Sequence, residues 1–264
     1  MVSTRHAADY VDSLAAAGRY TFTTDAAVKA LHTSVAAARA QLRRLKKRGQ
    51  LADPHRGFHV IVPPEYRRLG CLPADQFVPQ LMDHLGEIYY VALLSAAELH
   101  GAAHQRPQGF QVMVAKSRRA LVCGQVNVQF VARADLDRTS IIEKNTPRGR
   151  LRISSPEATA LELVGYASLC GGLENVISVL ADLVDALHPD KLTEAARLSP
   201  IAWTQRLGYL LDLSGHWHIA EGLARHVNDH ALVAAPLIRR KSRQGAPHIK
   251  RWKLVANATL GADQ

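Results

Sequence analysis

The chain has 264 residues, 47% of them hydrophobic and 21% charged, the balance of a globular protein of one or two domains. No run of about 18 apolar residues is present, which excludes a transmembrane helix, and the charged N-terminal stretch leaves no apolar core for a secretory signal. The net charge of +10 is unevenly spread: residues 1–70 carry 12 Lys/Arg against 5 Asp/Glu, residues 231–264 carry 7 against 1, and the body between is slightly acidic. Basic ends of this kind suit a polyanion partner, because Lys and Arg displace condensed counterions when they meet phosphates.

Residues 3–17 predict a first helix, with Ala7, Tyr10, Val11 and Leu14 at helical spacing and Gly18 as the stop. Thr or Asp ahead of an Ala-rich run predicts a short second helix over 25–31. His32-Thr33-Ser34 then forms a turn and a new cap, opening a third helix over 35–48 that ends at Gly49. Val35, Ala38, Leu42 and Leu45 make its inward stripe. Thr33, Ala36, Ala37, Ala40, Arg43, Arg44 and Lys47 face the other way, small residues first and cations last. Such a face suits a helix entering a major groove end-on, with Thr33, Ser34, Ala37, Arg39 and Ala40 near the bases and the later cations on phosphates.

A strand over 50–53, a Pro/Gly turn over 54–57 and a strand over 58–62 predict a β-hairpin with His55 and Arg56 near its tip. Three helices followed by a hairpin are a winged helix-turn-helix arrangement, expected over residues 1–64. The Pro63-Pro64 pair opens the way into a second, larger domain over 65–264. That domain starts with an amphipathic helix over 75–86 and a buried apolar stretch over 89–102. Three strands follow at 110–116, 120–125 and 126–133, expected as a meander, with two more near 140–143 and 150–153. The segment 155–167 predicts a helix with a cap at Ser154 or Ser155 and Pro156 at its first position. Further helices are predicted over 172–187, 189–198, 200–213 and 216–227, and an alternating stretch at 249–255 predicts a last strand. The whole is α+β, a short mixed or antiparallel sheet with a helical bundle.

Catalytic patterns are lacking. There is no P-loop, no G-x-G-x-x-G and no G-x-S-x-G elbow, so no enzyme and no cofactor are expected. The three cysteines (Cys71, Cys123, Cys170) lie far apart and read as reduced thiols, and the spaced histidines lack a third ligand for a metal.

Four segments resemble one family in serial order: RLKKRGQL…RGFHVIVPPEYR (44–67), YYVALLSAAELHGA (89–102), LRISSPEATALELV (151–164) and WKLVAN (252–257). They are similar to the AbiEi-type antitoxins of type IV, abortive-infection toxin–antitoxin operons in bacteria. The resemblance implies a cytoplasmic autorepressor that binds double-stranded DNA at inverted repeats in its own promoter. It also implies a C-terminal domain that counters a nucleotidyltransferase-like toxin, directly or only functionally. Carried over, Arg39, Arg43, Arg44 and Lys47 fall in the recognition helix and Arg56 in the wing. Arg239, Arg240, Lys241 and Arg243 would supply a second DNA contact or meet an acidic toxin surface. No zipper is present, so a monomer or weak dimer, cooperative on DNA, is expected. The alternative is a ligand-sensing winged-helix regulator without a toxin.

Overall fold

The computed structural model describes residues 6–102 and 108–260. It is an α+β protein whose chain packs into two compact units, each assembled from three stretches. Unit 1 takes Met1–Tyr90, Gln108–Ala134 and Glu143–Arg152, and unit 2 takes Val91–Pro107, Asp135–Ile142 and Ile153–Gln264.

Unit 1 begins with helix α1 (Ala7–Ala16), strand β1 (Thr21–Thr23), helices α2 (Thr24–Leu31) and α3 (Val35–Lys47), and the hairpin strands β2 (Leu51–His55) and β3 (Phe58–Ile61). The predicted stripe of α1 is buried as spaced, and its first turn, lacking a side-chain cap of its own, is capped by α3, where Gln41 Oε1 accepts from Ala7 N at 2.8 Å. Thr23 caps α2 by accepting from Ala26 N, and Ser34 caps α3 by accepting from Ala37 N. Each cap satisfies a backbone N–H that a helix start leaves without a partner. Between them His32 sits at φ +49°, so α2 ends in a left-handed residue that is not glycine. Residues between Ala7 and Ile61 form a hydrophobic cluster of their own.

Three expectations here are corrected. Ala38, Leu42 and Leu45 are buried, but Val35 is 43% exposed, because the first residue of α3 projects past the helices that cover the later turns. The hairpin turn is tighter than expected: β2 runs through Pro54 to His55, and only Arg56-Gly57 remains as the turn. Pro54 is accommodated by a register shift between Ala52 and His55, where an extra residue relieves a strand of a ladder bond that proline cannot make. A third strand, β1, pairs antiparallel with β3, giving the order β1-β3-β2.

Helix α4 (Val78–Leu85), shorter than the predicted 75–86, leads into the larger sheet. Its strands are β4 (Tyr89–Val91), β5 (Phe110–Val114), β6 (Leu121–Cys123), β7 (Val126–Ala132), β8 (Ile141–Thr146) and β9 (Gly149–Ser154), in the order β6-β7-β5-β4-β9-β8. The predicted meander is wrong. β6 and β7 form a hairpin, but β7 lies beside β5 and parallel to it, so β6 falls at the sheet edge. The β8–β9 turn is tied within unit 1: the Arg148 guanidinium lies 3.3 Å from the Tyr20 ring centre, and its Nε donates to Gln76 Oε1 at 2.6 Å.

Unit 2 is built around helix α6 (Pro156–Gly165), with proline at its first position as predicted and Ser155, of the two candidate serines, as its cap. Residues 157–164 are all buried, the signature of a helix covered on every side. Helices α5 (Leu93–Leu99), α7 (Leu173–Leu183), α8 (Pro189–Arg197) and α9 (Ile201–Leu213) pack against it. Helix α10 (Glu221–His230) starts five residues later than the predicted 216–227, the residues from 217 to 220 forming turns. The predicted last strand at 249–255 is also corrected. It divides into β11 (His248–Ile249), a 3₁₀ turn over Lys250–Trp252 and β12 (Leu254–Val255), with Lys253 at φ +42°. β12 joins β10 (Ala235–Pro236) and β11 in a separate small sheet. The break turns Trp252 fully inward, against Gly208 of α9, where a Cβ would come within 2.0 Å of the indole. Buried Gln205 and Arg206 on α9 donate to the carbonyls of Val233, Lys253 and Pro236, so the helix satisfies the backbone of this sheet.

Candidate nucleic-acid interface

The helix α3 and the β2–β3 hairpin face one another across an open cleft of about 620 Å³. One wall is the stretch of α3 that carries Arg39, Arg43 and Lys46, and the other is the hairpin with His55 and Arg56. Arg39, Arg43 and Arg56 are all exposed. Of the predicted site residues, Arg39, Arg43, His55 and Arg56 are brought together here, with Lys46 beside them.

The remaining predicted residues of α3 are placed differently. Arg44, Lys47 and Ala40 are exposed on the adjoining face of the helix and do not line the cleft. Thr33 and Ala37 are half-buried, and the Ser34 hydroxyl is engaged as the helix cap. Arg239, Arg240, Lys241 and Arg243 lie in unit 2 and are exposed on a loop that Asn257 clamps. The Asn257 amide donates to the carbonyls of Ile238 and Lys241 and accepts from Ile238 N. Burial first, then the charge of Arg239, holds the Arg206 guanidinium down to about 10.

Four residues of the cleft act together, and none of them is among the site residues that the sequence predicts. Lys46 Nζ donates to Asp53 Oδ2 at 2.7 Å, and His59 Nδ1 lies 2.7 Å from Asp53 Oδ1. Since an ionised carboxylate only accepts, the ring nitrogen donates, leaving Nε2 to meet the Thr24 hydroxyl at 2.9 Å. Burial pushes the Asp53 carboxyl up, but the hydrogen bonds from His59 and Lys46 and their charges outweigh it and leave it below the ordinary carboxylate value. The His59 ring is buried and packs 5.1 Å from Phe22. A signal for the relay does exist in the chain: between Asp25 and Glu65, Asp53 is the only acidic residue. A lone carboxylate among cations is placed to be neutralised by them.

Elsewhere, the histidines at 226 and 230 stack with ring centres 4.4 Å apart, and burial, His230 and Arg197 hold His226 below its usual range. No group of three or more metal-ligand side chains gathers among the described residues. Two glutamates of α6, Glu157 and Glu162, are almost fully buried, and His188 N donates to Glu157 Oε1 at 3.3 Å. No described helix is long and apolar enough to cross a membrane.

Comparison with known proteins gives a family match over part of the chain and a fold. Residues 90–213 match the family described as the AbiEi antitoxin C-terminal domain. The crystal structure of the RV2827C protein from Mycobacterium tuberculosis superposes with a TM-score of 0.68, covering 94% of this chain and 90% of that one. At 19% identity this likeness establishes a shared fold alone. No curated protein matches the sequence.

Proposed function

We propose, from the match of residues 90–213 to the AbiEi antitoxin C-terminal domain, that the chain is a DNA-binding antitoxin that represses its own operon and counters a nucleotidyltransferase-like toxin. The observation that carries the DNA half is the cleft between α3 and the hairpin, with the exposed cations Arg39, Arg43 and Arg56 on its walls. On this reading residues 1–64 act as a winged helix-turn-helix, α3 entering the major groove and Arg56 on the wing reaching a phosphate or the minor groove. Arg39, Ala40, Thr33 and Ala37 read base edges near the start of α3, while Arg43, Arg44 and Lys47 hold phosphates. The Lys46–Asp53–His59–Thr24 relay fixes the hairpin to the helix so that both sets of cations keep their spacing.

The antitoxin half rests on the family and on residues 65–264 as the carrier. The basic loop at 239–243 supplies a second contact, either to DNA or to an acidic toxin surface. The chain acts on each half of an inverted repeat as a monomer or weak dimer, in the cytoplasm, without a cofactor.

Titration into a labelled fragment of the upstream promoter, with random DNA alongside at two salt concentrations, tests the repressor half. Tighter, salt-dependent binding to the promoter is expected, and equal weak binding to both fragments would refute it. Rescue of growth when the chain is co-expressed with the neighbouring toxin gene tests the other half. Promoter binding without rescue would favour a regulator that senses a small ligand.

A further inference from the structure

Unit 1 contains two thiols that meet. Cys123 ends β6, and Gly124-Gln125 form the two-residue turn into β7, with Gly124 at φ +60°. The segment around Gly70 runs directly against this turn. Gln125 N donates to Leu69 O at 2.8 Å, and a Cβ on Gly124 would fall 2.2 Å from Leu69 O and 2.8 Å from Gly70 Cα. Two backbones approach this closely only where both positions lack side chains. The cysteines flank the crossing on either strand, and the Cys71 thiol donates a hydrogen bond to Cys123 Sγ.

Their surroundings differ in a useful way. Cys71 is wholly buried, whereas Cys123 is 8% exposed. Cys123 Sγ also accepts from the Asp53 backbone N–H, with the Lys46 ammonium nearby. The hydrogen bond from Cys71, opposed by burial, leaves the Cys123 thiol below its ordinary value, and the same bond together with burial pushes Cys71 far up. The third cysteine, Cys170, is pushed up to about 12, by burial first and then by Glu162. An attacking sulfur needs thiolate character and access, and a resolving sulfur needs to stand beside it.

We propose that Cys71 and Cys123 form a reversible thiol-oxidation site for peroxides, with Cys123 as the attacking sulfur and Cys71 as the resolving one. The Cys123 thiolate attacks a peroxide oxygen. The O–O bond breaks, leaving a sulfenic acid on Cys123 and a hydroxide that takes up a proton as water. The Cys71 sulfur then attacks the sulfenic sulfur, the S–O bond breaks, and the thiol proton leaves with the hydroxide as a second water. Two thiols and one hydrogen peroxide give one disulfide and two waters, the thiols supplying both electrons. Because Asp53 N–H rests on the attacking sulfur, the disulfide disturbs β2 beneath the cleft. That consequence for DNA rests on the promoter-binding reading above.

The test uses the full chain, treated with stoichiometric hydrogen peroxide, quenched by alkylation and read by intact mass and peptide mapping. A loss of about 2 Da is expected, with the Cys71 and Cys123 peptides joined and both restored by dithiothreitol. In Cys71→Ser the reaction halts at a sulfenic acid on Cys123, a gain of about 16 Da that dimedone traps. In Cys123→Ser, Cys71 and Cys170 stay reduced at the same dose. Absence of the joined peptides in protein that remains folded by circular dichroism would overturn the proposal. So would oxidation of Cys170 at the rate of Cys123, or oxidation of Cys71 in the Cys123→Ser variant. Promoter affinity of the reduced protein tests the DNA reading by itself. A several-fold fall on oxidation is expected, and an unchanged affinity of protein that carries the disulfide would remove the link to the cleft.

Discussion

Lys46 on α3 and Asp53 on β2 are joined by a 2.7 Å ion pair, the point at which helix and hairpin are held across the cleft. Because the same carboxylate holds His59, protonating it releases both partners at once.

The sign of the resulting pH dependence follows from the depressed Asp53 value. A carboxyl held below its unfolded value of 3.8 contributes stability that is fully present above that value and is lost as pH falls through the native one. The urea midpoint should therefore fall between about pH 5 and about pH 3 more steeply in the native chain than in Asp53→Asn. Equal slopes in the two proteins would remove Asp53 from the acid response.

The cations of α3 should separate by salt dependence. Arg43→Ala and Arg44→Ala are each expected to weaken binding to promoter and random DNA alike, and to lower the slope of log affinity against log salt by about 0.9. The pair Arg239→Ala and Arg240→Ala lowers the slope only if that loop meets DNA. An unchanged slope together with lost rescue from the toxin assigns the loop to the toxin. The readout is fluorescence anisotropy across a salt series.

Ser34→Ala removes the hydroxyl that caps α3. A loss of about 1 kcal/mol in unfolding free energy is expected, with weaker promoter binding because the first turn of α3 frays. Ser34→Asp restores the cap for stability, but places a carboxylate beside the bound DNA. It should fold as the native protein does and bind DNA less well. Denaturant titration and DNA binding on the same samples decide the matter.

At the other end of the chain, Gly208→Ala drives a methyl group into the Trp252 indole, which is fixed on its far side by Nε1 donating to Asp212 Oδ2 at 2.7 Å. Overpacking of about 1–3 kcal/mol is expected. Trp252→Ala should cost about 3–5 kcal/mol by leaving a cavity. If Gly208→Ala unfolds at the native denaturant midpoint, the indole has room to move and the contact is not a rigid one.

Local patterns were legible where one helix face or one cap settled the matter. Tyr10, Val11 and Leu14 declared α1, and Ser155-Pro156 declared the start of α6, since both signals lie within a turn of the feature they specify. β1 escaped notice because Thr21–Thr23 is three residues long and its last residue doubles as the cap of α2. The parallel pairing of β5 with β7 escaped for a different reason: alternation reveals that a segment is a strand, but not which neighbour it chooses. In the cleft, the exposed arginines were readable from the outer face of α3. The Asp53–His59 contact was not, because Asp53 lies in the register shift between Ala52 and His55, which alternation along β2 does not announce.

Unit 1 closes only when Glu143–Arg152 joins residues from the N-terminal ninety. During synthesis the cluster between Ala7 and Ile61, with its own three-stranded sheet, can collapse as soon as it clears the ribosome, but the later strands of the same unit arrive afterwards. At about 5–20 residues per second, the interval from Ile61 to Arg152 lasts roughly 5–20 s. For that time the nascent chain carries a finished α3 and hairpin beside an unfinished neighbour. Its cationic wall is thus exposed to the polyanions of the ribosome before the rest of the unit exists.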